Sequence, residues 1–238
     1  MAASPRPRLE GRIALITGAS RGIGAAVAKH FAREGAHVVL VARTTSDLEA
    51  VDDAIQADGG TATLVPLDLT EFAAIDQMGA AIAERFGRLD VLVGNAAVLG
   101  TLSPTGHYNP EIWEQTFALN VTANWRLVRA FDPILRASDS GRAIFVTSSV
   151  GSQAIPYYSA YAASKAALNR MVETYAAEVT KTKLRVNLID PGVVRTAMRA
   201  QAFPGEDPAN LPPPESVTEA FVQLAISRAR SHGKIVCA

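Results

Sequence analysis

Tyr161 and Lys165 stand four residues apart in Tyr161-Ala-Ala-Ser-Lys165. In a helix that spacing puts both side chains on one face. A phenol with a pKa of about 10 carries protons poorly at neutral pH, and a nearby ammonium favours its ionised form. Lowering that pKa by about three units takes roughly 4 kcal/mol of differential stabilisation, which a lysine in a partly desolvated cleft, helped by a second cation, can supply. Taken alone the pair is weak, because Tyr and Lys meet at this spacing more often by chance than for chemistry. Ser148 lies thirteen residues upstream, in Thr147-Ser148-Ser149-Val150-Gly151, after an apolar run that reads as a strand. Its hydroxyl can hydrogen-bond a carbonyl oxygen while Tyr161 exchanges a proton with it. Ser149 is the adjacent alternative, and a serine after a strand is ordinarily a turn residue.

A second constellation lies near the start of the chain. Thr17-Gly18-Ala19-Ser20-Arg21-Gly22-Ile23-Gly24 follows the first strand-like run and opens a helical pattern. Free backbone N–H groups at a helix N-terminus receive a nucleotide pyrophosphate, and glycines let the phosphates approach the backbone. The spacing is Gly-x3-Gly-x-Gly, which fails the strict Gly-x-Gly-x-x-Gly dinucleotide pattern. The bland reading is a tight strand–helix turn with no ligand. In dinucleotide folds an acid at the end of the second strand holds the ribose 2′-OH of NAD, whereas an Arg there takes the 2′-phosphate of NADP. Here the second strand ends Val41-Ala42-Arg43, without an acid, and Arg21 supplies another cation from the glycine turn. The pair points to NADP(H), with NAD(H) as the alternative; the bland reading is two solvated arginines.

Positioning these groups calls for a particular order of elements. Strands are expected at 13–17, 37–41, 61–67, 90–93, 143–147 and 184–189, with a truncated one at 234–237. Helical patterns are expected at 22–34, 46–58, 71–86, 110–136 and 158–180. The strands are apolar throughout, as when helices cover both faces, and strand–helix alternation implies right-handed crossovers and an open parallel sheet. The expected fold is α/β: a Rossmann-type doubly wound parallel sheet with helices on both faces, in one domain over 11–238 behind a flexible tail at 1–10. In such sheets ligands bind outside the C-terminal ends of the strands, where Ser148 and the glycine turn both fall. The segment 203–215 carries five prolines and three acids, so it is expected as an irregular loop or substrate lid.

Composition narrows the function classes. At 238 residues, a prior of roughly 150 per domain leaves one large domain or two small ones. The 23 basic and 23 acidic residues cancel, which argues against a nucleic-acid partner. A single cysteine, Cys237, excludes an internal disulfide and any cysteine-cluster metal site. The four histidines, at 30, 37, 107 and 232, have no ligand spacing, so no metal is expected. No segment has the apolar length of a signal-peptide core or a membrane span, which predicts a cytoplasmic protein with no membrane partner.

Together and in this order, the motifs resemble the short-chain dehydrogenases/reductases of the classical type, over roughly residues 11–200. Thr17-Gly18-x3-Gly22-Ile23-Gly24 is similar to that family's cofactor glycine motif, which accepts the three-residue gap. Asp68-Leu69 resembles its adenine-contacting pair, and Gly94-Asn95-Ala96-Ala97 its Asn-Asn-Ala-Gly. Asn120, Ser148, Tyr161 and Lys165 match its catalytic residues, and Pro191-Gly192 with Thr196 its nicotinamide-side motif. The resemblance implies a seven-stranded sheet, a homodimer or homotetramer, and hydride transfer between nicotinamide and a small-molecule carbonyl or alcohol carbon. It implies that Tyr161 exchanges the proton, Ser148 orients the oxygen, Lys165 lowers the Tyr161 pKa and binds the nicotinamide ribose, and Asn120 holds a water leading from Lys165 to solvent. It also implies cofactor contacts from Gly18, Ser20, Arg21, Gly22, Ile23, Gly24, Arg43, Asp68, Leu69, Asn95, Ala96, Pro191, Gly192 and Thr196, the Thr196 hydroxyl binding the carboxamide.

Two departures stand out. Gly94 replaces the family's first Asn and Ala97 its Gly, a change expected to affect strand packing rather than chemistry. The chain ends Ser231-His-Gly-Lys-Ile-Val-Cys-Ala238, without the family's usual Thr-Gly before the last strand and Asp-Gly-Gly after it. Trp113, Phe117, Val121 and Val128 follow helical spacing, as core or subunit contact. Tyr157, Tyr158, His107 and Tyr108 are candidates to line the substrate cleft. Two other readings compete with an enzyme of this kind: a sensor or scaffold that binds cofactor without turnover, and an epimerase or dehydratase using the same Tyr–Lys pair, for which the C-terminal region is short.

Overall fold

The computed structural model describes residues 7–238. Seven parallel strands are ordered β3-β2-β1-β4-β5-β6-β7, with β1 Ile13–Thr17, β2 His37–Ala42, β3 Thr61–Pro66, β4 Val91–Gly94, β5 Arg142–Val146, β6 Arg185–Asp190 and β7 Ile235–Cys237. The order reverses between β1 and β4, and a crevice opens there beyond the strand ends. One face is covered by α1 (Gly22–Arg33), α2 (Thr45–Ala57) and α8 (Thr218–Ala225), whose Phe31, Leu48 and Phe221 pack on Ile16, Leu40 and Ile144. The other is covered by α3 (Phe72–Phe86), α5 (Ala123–Arg136) and α6 (Ser159–Val179), whose Ile75, Phe131 and Leu168 meet Leu15, Leu92 and Phe145. Strands β1, β4 and β5 are buried at every position, which is why their runs lack polar alternation.

The expected elements are present with boundary shifts of one residue or so, and three differences have physical causes. The helix expected over 110–136 is α4 (Pro110–Phe117) and α5 joined by a wide turn at Ala118–Thr122, where the Ala123 N–H reaches back five residues to the Ala118 carbonyl. Residue periodicity cannot register one inserted residue inside an apolar helix. The segment 203–215 is not wholly irregular: Pro208–Asn210 and Pro214–Val217 are single tight helical turns started by prolines, which suit first-turn positions, and Asp207 caps the first through the Ala209 N–H. Before it lies the short α7 (Ala197–Ala202), which, like α8, was not expected.

The tail expected over 1–10 falls partly outside the described residues, and its described part is packed. Residues 1–6 lie outside the described residues, but Leu9 is fully buried and Arg8 bridges Glu34 and Glu219 at 2.5 and 2.6 Å. That contact fastens the approach to β1 onto the ends of α1 and α8. No helix among the described residues is long and apolar enough to cross a membrane.

Candidate active site

The end of β5 delivers Ser148 in extended backbone, and the next residues turn tightly over Ser149–Gly151. The Ser148 side chain stands beside the Tyr161 hydroxyl on the first turn of α6, close enough to favour its ionised form, while Ser149 is exposed. The strand end therefore selects Ser148 over its neighbour. Lys165, one turn further along α6, is almost wholly buried; its ammonium donates to the Val146 carbonyl at 2.8 Å and lies 5.5 Å from the centre of the Tyr161 ring. The i,i+4 spacing thus brings the three groups together.

The electrostatics differ from the expectation. Burial, then the Asp190 carboxylate and Tyr158, push the Tyr161 hydroxyl up to about 12, against the pull of the neighbouring Ser148 side chain. Burial drives the Lys165 ammonium down to about 8, and Asp190 opposes that. Desolvation of the phenolate dominates here, and the Lys165 ammonium is turned to a backbone carbonyl. Tyr161 is therefore protonated at neutral pH.

Asn120 sits in the wide turn between α4 and α5 and is fully buried. Its side-chain oxygen accepts from the Val98 N–H at 2.9 Å; its amide donates to the Val98 carbonyl at 2.9 Å and the Ser164 hydroxyl at 3.0 Å. Ser164 in turn donates to the Tyr161 carbonyl at 2.7 Å. The Asn120 side-chain oxygen keeps one further acceptor site beside the Val98 bond. Through these bonds Asn120 braces the loop after β4 against the turn of α6 that carries Tyr161 and Lys165. Sequence reasoning missed Ser164, Val98 and Asp190. Ser164 carried a signal, being the small polar residue inside Tyr161-Ala-Ala-Ser-Lys165; Asp190 lay one residue before Pro191-Gly192.

The glycine turn stands across the crevice. Arg21 occupies the N-cap of α1 without a side-chain cap, and no acid lies in the first turn, so the first amides of α1 are open to an anion. A Cβ on Gly24 would collide with the Gly18 carbonyl and stand 2.6 Å from the Asn95 amide, so only glycine lets α1 start this close to β1. Asn95 donates to the Thr17 carbonyl at 2.8 Å, and the Asn95 and Ala96 amides donate to the Thr17 hydroxyl at 2.9 and 3.1 Å. These bonds tie the ends of β1 and β4 beneath the turn. Gly22 has φ +55° and faces Thr196, whose methyl would lie 3.5 Å from a Cβ there. Thr196 caps α7 by accepting from the Arg199 N–H at 3.2 Å, and Asp190 accepts from the Gly192 N–H at 2.9 Å in the turn after β6. The uncapped start of α1 beside these glycines suits the pyrophosphate of a dinucleotide.

At its far end Arg43 is exposed and lies 3.9 Å from Asp68. Burial pushes Asp68 up, but the Thr70 N–H and hydroxyl, with Arg43 beyond, reverse this and hold the carboxyl below the ordinary range. Arg21 is exposed, Ser20 half-buried, and Ile23 packs partly on the core. Leu69 is buried in the core beneath β3, so only its backbone can meet an adenine. At Gly94 a Cβ would collide with the Phe145 ring and lie 2.5 Å from the Asn124 oxygen. Glycine in β4 thus makes room for the Phe145 ring of β5, so the departure from the family's Asn bears on packing. Trp113 stacks on Phe117 at 5.1 Å, and Tyr108 meets Trp113 edge-on at 5.9 Å. The Tyr108 hydroxyl accepts from the Thr101 N–H at 3.0 Å, which places that ring under the loop after β4.

This fold with this site defines a dehydrogenase-type Rossmann protein. The model of the short chain dehydrogenase family matches residues 12–207, and the chain belongs to that family. Among its relatives, the oxidoreductase YciK of Escherichia coli is 40% identical over 219 residues, 91% of this chain and 86% of that one. A short chain dehydrogenase from Shigella flexneri, solved with NADP, superposes with a TM-score of 0.94 at 38% identity, covering 98% of this chain and 99% of the other. One from Escherichia coli, solved with NADPH, gives 0.94 at 37% identity, over 98% and 99% of the two chains.

Proposed function

We propose that the chain is an NADP(H)-dependent oxidoreductase that moves a hydride between nicotinamide and a carbonyl or alcohol carbon, with Tyr161 exchanging the proton. The observation that carries this reading is the Ser148–Tyr161 hydroxyl pair above buried Lys165, at the same strand edge as the uncapped start of α1. When bound, the cofactor supplies the hydride and, in its oxidised form, a positive charge beside the site. Ser148 and Tyr161 both present hydroxyls to the substrate oxygen. Tyr161, protonated at neutral pH, donates as charge develops there. Lys165 holds the ribose and returns the proton. The backbone of Gly18 to Gly24 cradles the pyrophosphate, and Asp68, Leu69, Asn95, Ala96, Pro191, Gly192 and Thr196 line the remainder. Arg43, with Arg21, takes the 2′-phosphate, since β2 ends without the acid that would select the 2′-hydroxyl. The solved relatives holding NADP and NADPH support the cofactor assignment.

The segment 203–215 acts as the substrate lid, fastened at both ends: Glu206 to Arg199, and the Pro212 carbonyl to the Arg195 N–H. The half-buried Trp113 and Phe117 support a homodimer or homotetramer. One observation favours the cofactor-binding sensor instead: Lys165 faces the Val146 carbonyl rather than the phenol. The Tyr161→Phe variant separates the two. In the enzyme it abolishes turnover and keeps NADPH affinity within about twofold; in a binder it changes no function. A fluorescence titration with NADPH and NADH provides the affinity.

A further inference from the structure

On the reading that Tyr161 works on a carbonyl, we propose that the substrate is an uncharged ketone or aldehyde with an apolar body, and that Glu206 enforces this by neutralising Arg199. The surroundings of the phenol are apolar. Leu99 and Val150 pack directly with Tyr161, and Leu102, Tyr158 and Met198 close around them. Six large apolar side chains are exposed among the described residues, and four stand on segments adjoining this cluster. Ile155 and Tyr157 are in the loop leading into α6, Val193 follows Gly192, and Phe203 ends α7. Apolar surface gathered at one mouth marks a surface to be covered. Tyr157 is held there against its own preference: it has φ +73°, alone among the non-glycine residues described, and its carbonyl is fixed by the Ser103 N–H at 3.1 Å.

The charges point the same way. Arg199 on α7 is the cation beside Tyr158, and its charge is paired. Its guanidinium donates to both Glu206 oxygens, at 2.6 and 2.8 Å, and its face lies 3.7 Å over the Phe203 ring. Held through Nε and Nη2, the guanidinium keeps its Nη1 edge, but with Glu206 beside it the pair carries no net charge to attract a substrate carboxylate. Asp190, behind Tyr161 and Lys165, repels an anion as well. A charged or polyhydroxylated substrate would lose hydration without recovering partners.

The test uses the full-length protein with NADPH and three carbonyl compounds: 4-phenylbutan-2-one, its para-carboxylate analogue and dihydroxyacetone. The neutral aryl ketone should exceed each of the others in kcat/KM by at least about tenfold. Glu206→Gln releases Arg199, and the kcat/KM ratio of the carboxylate analogue to the neutral ketone should rise at least about tenfold. Phe203→Ser, at an exposed position, should raise KM for the aryl ketone about fivefold and leave KM for dihydroxyacetone unmoved. Preference for the carboxylate analogue or dihydroxyacetone in the unmodified protein overturns the substrate class and leaves the carbonyl reading standing. So does an equal response of both ketones to Glu206→Gln. NADPH binding without oxidation by any of the three overturns the carbonyl reading itself, and this proposal with it.

Discussion

Replacing Asn120 by Ala distinguishes a brace from a water relay. The side chain makes three hydrogen bonds, at 2.9, 2.9 and 3.0 Å, in a fully buried position. Each bond has a net worth of about 1 kcal/mol, and the Val98 N–H and C=O left without partners each cost about 1–3 kcal/mol where water does not replace them. The variant should therefore lose about 3 kcal/mol. For a chain of this size that is a fall in Tm of roughly 6–12 °C. Differential scanning calorimetry measures it, with circular dichroism to confirm that the fold persists. Asn120→Asp keeps an acceptor for the Val98 N–H but loses both amide donations and sets a carboxylate against the Val98 carbonyl. It should be no more stable than the alanine variant. Loss of the brace loosens α6 at Tyr161, so kcat falls in step with stability across a series of Asn120 variants. A normal Tm with a large loss of kcat would refute the brace and restore the relay expected from the family resemblance.

Further predictions concern the cofactor, the core and the acid limit. Arg43→Ala should weaken NADPH binding about 10- to 100-fold, the loss of one charge-assisted phosphate contact, with NADH affinity little changed; equal weakening of both in a fluorescence titration breaks the 2′-phosphate assignment. Gly94→Ala should destabilise by about 2 kcal/mol, since the new Cβ meets the Phe145 ring, and adding Phe145→Leu should recover part of that loss; simple additivity in thermal melts would disprove the packing reading. The Arg8 bridge, then burial opposing it, leaves Glu219 held down to about 2, and Glu34 is lowered by the same guanidinium. Depressed carboxylates stabilise the fold above their unfolded pKa of about 4.3 and lose that contribution as pH falls through the folded value. The effect is modest because Arg8 and Glu219 are substantially exposed. Arg8→Ala should thus melt below the unmodified protein at pH 6 and level with it at pH 2; a gap that persists at pH 2 would show that the bridge acts through packing.

Much of the fold was legible in the residues because its signals are local. Strands β1, β4 and β5 are buried on both faces, so their apolar runs announce themselves, and strand–helix alternation permits few topologies. The glycine spacing and the i,i+4 pair are local as well, and the structure sets Ser148, Tyr161 and Lys165 together as their spacing requires. The helix α8 escaped notice because it follows a proline-rich segment and owes its place to long-range burial of Phe221 and Val222 against α1 and β5. The wide turn at 118–122 escaped because one extra residue leaves composition and apolar character unchanged.

By itself the sequence determined which groups could do chemistry and at which strand ends they would stand, since backbone spacing decides both. Only the tertiary structure decided their state. Whether Tyr161 is raised or lowered depends on desolvation, on Asp190 arriving from β6 and on the direction in which Lys165 points. That Asn120 ties Val98 to Ser164 depends on partners 22 and 44 residues away. Whether Arg199 greets a carboxylate depends on a bond to Glu206 across a proline-rich loop. Charge and hydrogen-bond competition act through space at short range, so their outcome is settled where distant segments meet.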